Sequence, residues 1–268
     1  MKELLHSAII AGILASIEVM NYYTNGFTTE YKEDLSPVTN ADIASNNIIT
    51  ESFSHLNIPI LSEEGIHFSK TNRNNWEKYW IIDPIDGTKG FVDKTDEFAV
   101  CIGLIEAKKA KLGVIAVPAK NVFYFGGENI GAFKFALDFK NWEKYKEMST
   151  LDEIINHSIS IPLNNKSNSY IFLRSKDYLD STTQEYINSL KTKHPNLKEH
   201  VVGSALKFGL LAEGFANEYT RLSTLNHWDI AAGDAIIKSA GKKIISSENK
   251  KEIIYNNQEI KITGFYAF

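Results

Sequence analysis

The sequence predicts an α+β fold, and three observations carry that reading. Near the N-terminus Ile9, Ile13 and Ile17 recur at helical spacing beside Ile10 and Leu14. Two apolar runs, residues 98–105 and 111–117, flank the charged turn 106–109 and read as a pair of hairpinned strands. Further helical and strand segments follow in the second half, with no internal repeat or low-complexity tract. At 268 residues the chain can bury a large core, as one large or two modest domains.

In chain order, residues 2–24 form the first helix. Its uncharged run, residues 7–17, is flanked by His6 and Glu18 and preceded only by Lys2, so it is too short for a membrane span and lacks the basic start of a signal peptide. A buried helix is expected, with a cytoplasmic location and peripheral contact with the inner membrane face left open. A polar loop leads to Ser36-Pro37-Val38-Thr39-Asn40-Ala41-Asp42 and a helix over 42–56. The short apolar strand Ile58-Pro59-Ile60-Leu61 then runs into Ser62-Glu63-Glu64-Gly65. The next strand, through Tyr79-Trp80-Ile81-Ile82, is predicted to end at Asp83, because Pro84 fixes its own φ and holds the residue before it extended. A sharp turn follows, and a helix starts at Thr88. Residues 138–169, rich in Lys, Glu and Asn, mark the boundary between an N-terminal half, residues 1–150, and a C-terminal half, residues 151–268. In the latter, 170–173 reads as a strand, while 181–191, 204–213 and the small-residue run after Asp229 read as helices.

A formal charge of −4 argues against broad electrostatic binding to a nucleic-acid polymer, although a small phosphorylated molecule needs only a local cationic patch. The single cysteine, Cys101, excludes an intrachain disulfide and sits in an apolar run as a buried thiol.

The chemistry concentrates in Asp83-Pro84-Ile85-Asp86-Gly87-Thr88. Asp83 and Asp86 can converge on one side of a turn, and the Ile85 carbonyl, freed from strand pairing, becomes a neutral oxygen ligand. Oxygen-only sets of this kind suit Mg²⁺, Mn²⁺ or Ca²⁺ rather than zinc. Gly87 permits close backbone approach, and the Thr88 hydroxyl and N–H at a helix start suit a phosphate. An ordinary turn, with Asp and Gly as turn residues and Thr as N-cap, would use the same residue types. Glu63 and Glu64 at a strand end, costly side by side unless cations neutralise them, and Asp229 in His227-Trp228-Asp229-Ile230-Ala231-Ala232-Gly233 favour the metal reading. A solvated loop and a helix N-cap are each commoner than a ligand; their conjunction with the hexapeptide is not.

These residues are similar to the lithium-sensitive, magnesium-dependent inositol monophosphatase superfamily. Its W-[IV]-[IV]-D-P-[IL]-D-G-T signature corresponds to residues 80–88, and its W-D-x-A-A-G signature to residues 228–233. Within it the chain most resembles bacterial 3'(2'),5'-bisphosphate nucleotidases of the CysQ type, through the Ser36 block, Leu61-Ser62-Glu63-Glu64, and Val202-Gly203-Ser204-Ala205-Leu206-Lys207-Phe208 running into Ala212-Glu213-Gly214. The resemblance implies a layered αβαβα fold in which the N-terminal half carries most metal ligands and the C-terminal half carries substrate contacts and Asp229. It implies a first Mg²⁺ on Glu63, Asp83 and the Ile85 carbonyl, and a second on Asp83, Asp86 and Asp229. A third, weaker ion would lie near Glu63 and Asp42, and Mn²⁺ would substitute. Thr88, hydrogen-bonded toward Asp42 or Glu63, would orient and help deprotonate the attacking water, with Glu64 in support. Catalysis would then rest on Asp42 and Thr88.

Glu63, Ile85, Asp86, Gly87, Thr88, Lys89, Gly203, Ser204, Lys207 and Asp229 are the implied substrate contacts. Lys89 follows the nucleotidase form T-K-x-F, and Lys207 and Ser204 follow G-S-[SA]-L-K-F; a solvated helix lysine is the ordinary alternative for Lys207. Leu173-Arg174-Ser175-Lys176 departs from the family's S-R-S-H, and lysine pairs with phosphate but does not stack as imidazole does. Gly90 is a lesser departure. The implied reaction removes the 3'-phosphate of adenosine 3',5'-bisphosphate, formed in sulfate assimilation or carrier-protein pantetheinylation, in a monomer or homodimer. An inositol or sugar-phosphate phosphatase and a catalytically silent nucleotide- or metal-binding regulator are the alternatives.

Overall fold

The computed structural model describes residues 1–65, 73, 75–136, 145, 147–163, 168–176, 179–255 and 259–268. The chain opens with helix α1 (Lys2–Asn25), strands β1 (Thr29–Tyr31) and β2 (Pro37–Thr39), helix α2 (Asn40–Phe53) and β3 (Ile60–Ser62). Then come β4 (Lys78–Asp86), the single turn of helix α3 (Thr88–Val92), β5 (Ala99–Glu106), β6 (Lys109–Val117), β7 (Val122–Gly127) and β8 (Gly131–Ala136). Helix α4 (Leu151–Asn156) precedes β9 (Ile159–Ile161), β10 (Ile171–Arg174), α5 (Ser181–Lys193) and β11 (Lys198–Val201). Helix α6 (Leu206–Ala212) leads to β12 (Glu218–Arg221), β13 (Leu225–Asn226), α7 (Ala231–Ser239), β14 (Ile244–Ser246), β15 (Lys261–Ile262) and β16 (Phe265–Ala267).

Two sheets organise the molecule. The larger has the order β3-β4-β5-β6-β7-β8-β9, the smaller β11-β10-β12-β16-β14. In the larger sheet only β3 and β4 run parallel; the rest is an antiparallel meander. Alternation assigns the faces: Trp80, Ile82, Val100, Ile102 and Val114 pack with Leu5, Ile9 and Ile13 of α1 and Ile49 and Phe53 of α2. Tyr79, Ile81, Cys101 and Ile115 point the other way, into a cluster with Phe208 and Leu211 of α6 and Ala231, Ala235 and Ile236 of α7. Leu173, Tyr219 and Phe265 of the smaller sheet close that cluster, and Phe172 turns outward to Ile187 and Leu190 of α5. The layers are therefore α1/α2, sheet, α6/α7, sheet, α5: the αβαβα order.

Helix α1 is apolar enough to pass for a membrane span, with mean hydropathy 1.6 over its best window, but Leu5, Ile9, Ile13 and Val19 are wholly buried. The expected hairpin is β5–β6, and its two turn residues Ala107 and Lys108 have φ of 50° and 62°, the left-handed pair that matches the twist of flanking strands. Of the boundary region 138–169, residues 138–144, 146 and 164–167 lie outside the described residues; β9 still belongs to the larger sheet and β10 to the smaller.

One expectation is corrected. Strand β4 does not end at Asp83 but runs on to Asp86, with a register shift between them: Asp83 pairs with Cys101 and Asp86 with Ala99. Proline is tolerated at a bulge, where its missing N–H breaks no ladder bond. The Pro84 carbonyl leaves the ladder and accepts from Ser45 Oγ of α2 at 2.9 Å.

Candidate active site

The bulge sets the site. Because it inserts residues between two paired positions, Asp83 and Asp86 reach the same side of β4. Asp229 arrives from the loop before α7, and one carboxylate oxygen from each of Asp83, Asp86 and Asp229 lies within 4.8 Å of the others. The approach of α7 is allowed by small residues: a Cβ on Gly113 would lie 2.1 Å from the Ala232 carbonyl oxygen, and one on Gly103 would lie 3.2 Å from the Ala231 Cβ.

None of these acids is the N-cap of a helix. Asp229 does not cap α7, whose N-cap is Ile230; its Oδ2 accepts from the Asn226 N–H at 2.8 Å. Asp86 Oδ2 accepts from the Ala205 N–H. Asp83 is 2 % exposed, and its Oδ1 has no hydrogen-bond partner. Burial, reinforced by Glu63 and Asp86, pushes the Asp83 carboxyl well above the usual range. Burial also raises Asp86, against the pull of Lys207, and burial with Asp86 beside it pushes Asp229 up to about 7. Such a cluster is costly alone and is relieved by a bound cation. The donor set is carboxylate and carbonyl oxygen, which fits Mg²⁺ or Mn²⁺.

Glu63 lines the same cleft but lies outside this triad; its Oε1 accepts from Lys32 Nζ at 2.9 Å, and Lys32 also reaches Glu64. Burial works to lower the Lys32 pKa, but Glu64 and Glu63 outweigh it and leave it raised. Thr88 is not the N-cap of α3. Gly87 holds that place at φ 85°, a left-handed conformation open to glycine, and Thr88 Oγ1 lies 3.1 Å from Asp42 Oδ1 and 3.0 Å from the Ile85 carbonyl oxygen. Asp42 is held by its own capping box: its Oδ2 accepts from the Thr39 N–H at 2.9 Å and the Thr39 hydroxyl at 2.5 Å. Burial raises the Asp42 carboxyl, opposed by these hydrogen bonds and by Thr88.

The surrounding cleft, of about 400 Å³, gathers Glu63, Asp83, Ile85, Asp86, Gly87, Thr88, Lys89, Gly203, Ser204, Lys207 and Asp229 on one wall or another. Asp42 stands behind it and meets it through Thr88. Lys207 is only 4 % exposed and donates to the carbonyls of Val202 at 3.1 Å and Ser204 at 2.6 Å. It thereby braces the 202–204 turn, in which Ser204 has φ 54° and stays outside α6, contrary to the expected helix start at 204. Lys32, Glu97, Tyr219, Arg221 and Asn226 complete the site without having been singled out from sequence. Lys32 lies in the polar loop before β2, and the others belong to no recognisable motif.

The inositol monophosphatase family model matches residues 1–264. The 3'(2'),5'-bisphosphate nucleotidase CysQ of Haemophilus influenzae is 31 % identical over 99 % of this chain and 92 % of its own. The protein of the same name from Salmonella typhimurium is 35 % identical over 87 % of this chain and 86 % of its own. The crystal structure of CysQ from Bacteroides thetaiotaomicron, described as a bacterial member of the inositol monophosphatase family, superposes with a TM-score of 0.90 at 32 % identity and covers 100 % of this chain and 97 % of its own.

Proposed function

The chain belongs to the inositol monophosphatase family, and from that premise we propose that it is a Mg²⁺-dependent 3'(2'),5'-bisphosphate nucleotidase that removes the 3'-phosphate of adenosine 3',5'-bisphosphate. The convergence of Asp83, Asp86 and Asp229 beside the Thr88–Asp42 pair is the observation that carries the reaction type. The named activity of the CysQ relatives supports the substrate.

Asp83, Asp86, Asp229, the Ile85 carbonyl and Glu63 would hold two Mg²⁺ ions, with room for a third near Glu63 and Asp42, and Mn²⁺ as a substitute. When bound, such ions neutralise the phosphoryl group, acidify a water and stabilise charge on the attacking and leaving oxygens. The chain's own residues do the rest. Thr88 Oγ1 accepts from the attacking water while donating to Asp42 Oδ1, so a proton leaving that water has a defined path to a buried carboxylate. The N–H groups of Gly87 and Thr88 bind phosphoryl oxygens at the start of α3, and Lys89 adds a cation next to them. Lys207 and Ser204 shape the turn that receives the rest of the nucleotide. No covalent phosphoenzyme is needed.

The ligand is a small phosphorylated nucleotide rather than a nucleic-acid polymer; the burial of α1 supports a core helix rather than a membrane span, and the reading places the protein in the cytoplasm, as monomer or homodimer. The test is turnover of adenosine 3',5'-bisphosphate against inositol 1-phosphate with excess Mg²⁺. Preference for the bisphosphate is expected, and preference for inositol 1-phosphate overturns the substrate assignment. Absence of phosphate release from either overturns the enzyme reading in favour of a binding protein.

A further inference from the structure

We infer that Ser45 is a positioning residue that sets the spacing of Asp83 and Asp86 across the bulge and so favours Mg²⁺ over the larger Ca²⁺ in the acidic cluster; this rests on the Mg²⁺-dependent reading above. Ser45 lies inside α2 and is wholly buried. A serine within a helix ordinarily faces solvent or bonds the carbonyl four residues back. Ser45 instead donates across to β4, to the Pro84 carbonyl at 2.9 Å. Pro84 is itself buried, so the hydroxyl satisfies a carbonyl that has left the ladder and is out of reach of water.

The helix that carries Ser45 is a fixed point. Asp42, Ser45, Asn46, Ile49 and Phe53 follow helical spacing down one buried face of α2. The first three are polar, and each meets a different segment of the site. Asp42 receives Thr88, Ser45 holds Pro84, and Asn46 Oδ1 accepts at 2.7 Å from Ser62 Oγ, next to Glu63. The last two enter the core, where the Phe53 ring stacks on Trp80 of β4 with centroids 4.3 Å apart. The Thr39 capping box holds the other end.

The bulge is where this anchoring matters. Asp83 and Asp86 pair with Cys101 and Ala99, so β4 spends one residue more than β5 between the same two rungs. The surplus goes into Pro84 and Ile85, and the direction it takes decides how far apart the flanking carboxylates stand. Ser45 fixes that direction by drawing the Pro84 carbonyl toward α2. Mg²⁺ demands near-octahedral oxygens at about 2.0–2.1 Å, whereas Ca²⁺ accepts flexible sets at about 2.3–2.6 Å. Loosening the bulge therefore costs Mg²⁺ more than Ca²⁺.

The experiment measures Kd for Mg²⁺ and for Ca²⁺ by calorimetry, without substrate, on the wild type, S45A and S16A. Ser16 of α1 is also wholly buried, but its Oγ has no hydrogen-bond partner, so S16A controls for the loss of a buried hydroxyl. In S45A the Kd for Mg²⁺ should rise roughly 10- to 100-fold, and that for Ca²⁺ by less than about threefold. S16A should leave both unchanged. If circular dichroism shows S45A unfolded, S45C, whose thiol is only a weak donor, takes its place with the same expectation. Equal losses for the two cations, or an unchanged Kd for Mg²⁺, overturn the role of Ser45 and leave the Mg²⁺-dependent reading standing. A wild-type protein that binds neither cation overturns that reading and this inference with it.

Discussion

Thr88 Oγ1 lies 3.1 Å from Asp42 Oδ1, a bond that joins the first residue of α3 to the first turn of α2 across the bulged end of β4. Asp42 is not free to swing away, since Thr39 holds its other oxygen through both N–H and hydroxyl. The hydroxyl of Thr88 is thus aimed by a carboxylate that is itself aimed by a helix cap.

If Thr88 relays a proton from the attacking water, T88A should lower kcat by roughly 10²- to 10⁴-fold. The Mg²⁺ concentration giving half-maximal activity should stay unchanged, because Thr88 contributes no carboxylate to the cation cluster. A T88A enzyme within threefold of wild type in a steady-state assay would remove the relay.

D83N should abolish turnover without unfolding the chain. In chelator the variant is expected to be more stable than wild type by about 1–3 kcal/mol, because a neutral amide replaces a buried carboxylate that other acids repel. Mg²⁺ should stabilise the wild type by about 3 kcal/mol at a hundredfold excess over Kd and D83N much less. Denaturant melts with and without Mg²⁺ measure both quantities; near wild-type turnover by D83N would refute the metal assignment.

Asp234, in the first turn of α7, is fully buried, accepts from the Tyr255 hydroxyl at 2.9 Å and pairs with Lys238 at 2.9 Å. Burial outweighs these partners and pushes its carboxyl up to about 6. A carboxyl raised in the folded state binds its proton longer there than in the unfolded chain, so its contribution is favourable at low pH and is lost as pH rises toward 6. Relative to D234N, the wild type should lose about 2 kcal/mol of stability between pH 4 and pH 7. Parallel stability curves for the two proteins would contradict this.

G113A should be more harmful than its size suggests. The added methyl would sit 2.1 Å from the Ala232 carbonyl oxygen, a backbone atom, so α7 and the Asp229 loop must shift. A loss of about 1–3 kcal/mol is expected, together with reduced kcat/KM. G12A in α1, where the nearest atom is the Phe123 ring at 3.2 Å, serves as the milder comparison.

Much of this was legible in the sequence because the cluster's members carry their own local signals. Asp83 and Asp86 flank a proline, Thr88 follows a glycine, and Asp229 precedes a run of alanines and glycine that announces close packing. The helices α1, α2 and α5 and the β5–β6 hairpin follow from apolar periodicity. What did not follow was pairing over distance. Strands β7, β8 and β9 extend the larger sheet, yet β7 and β8 are short runs bounded by glycine and β9 is only Ile159-Ser160-Ile161, too little for an alternating pattern to stand out. Lys32, Glu97 and Arg221 reach the cleft only because the sheets bring distant segments together. The bulge at Pro84 was read as a strand end, since local sequence cannot say that Asp86 will find Ala99 again.

That bulge has a consequence for folding accuracy. The side-chain alternation that buries Trp80 and Ile82 on one face of β4 also decides where Asp83 points. A slip of one residue against β5 would drive a carboxylate into the apolar layer covered by α1 and α2, while Ile81 and Ile82 would only exchange two buried faces. Misregistered chains would therefore be sorted out by the cost of burying that carboxylate among apolar side chains before any ligand was offered, so assembly of the sheet acts as proofreading for the acidic cluster.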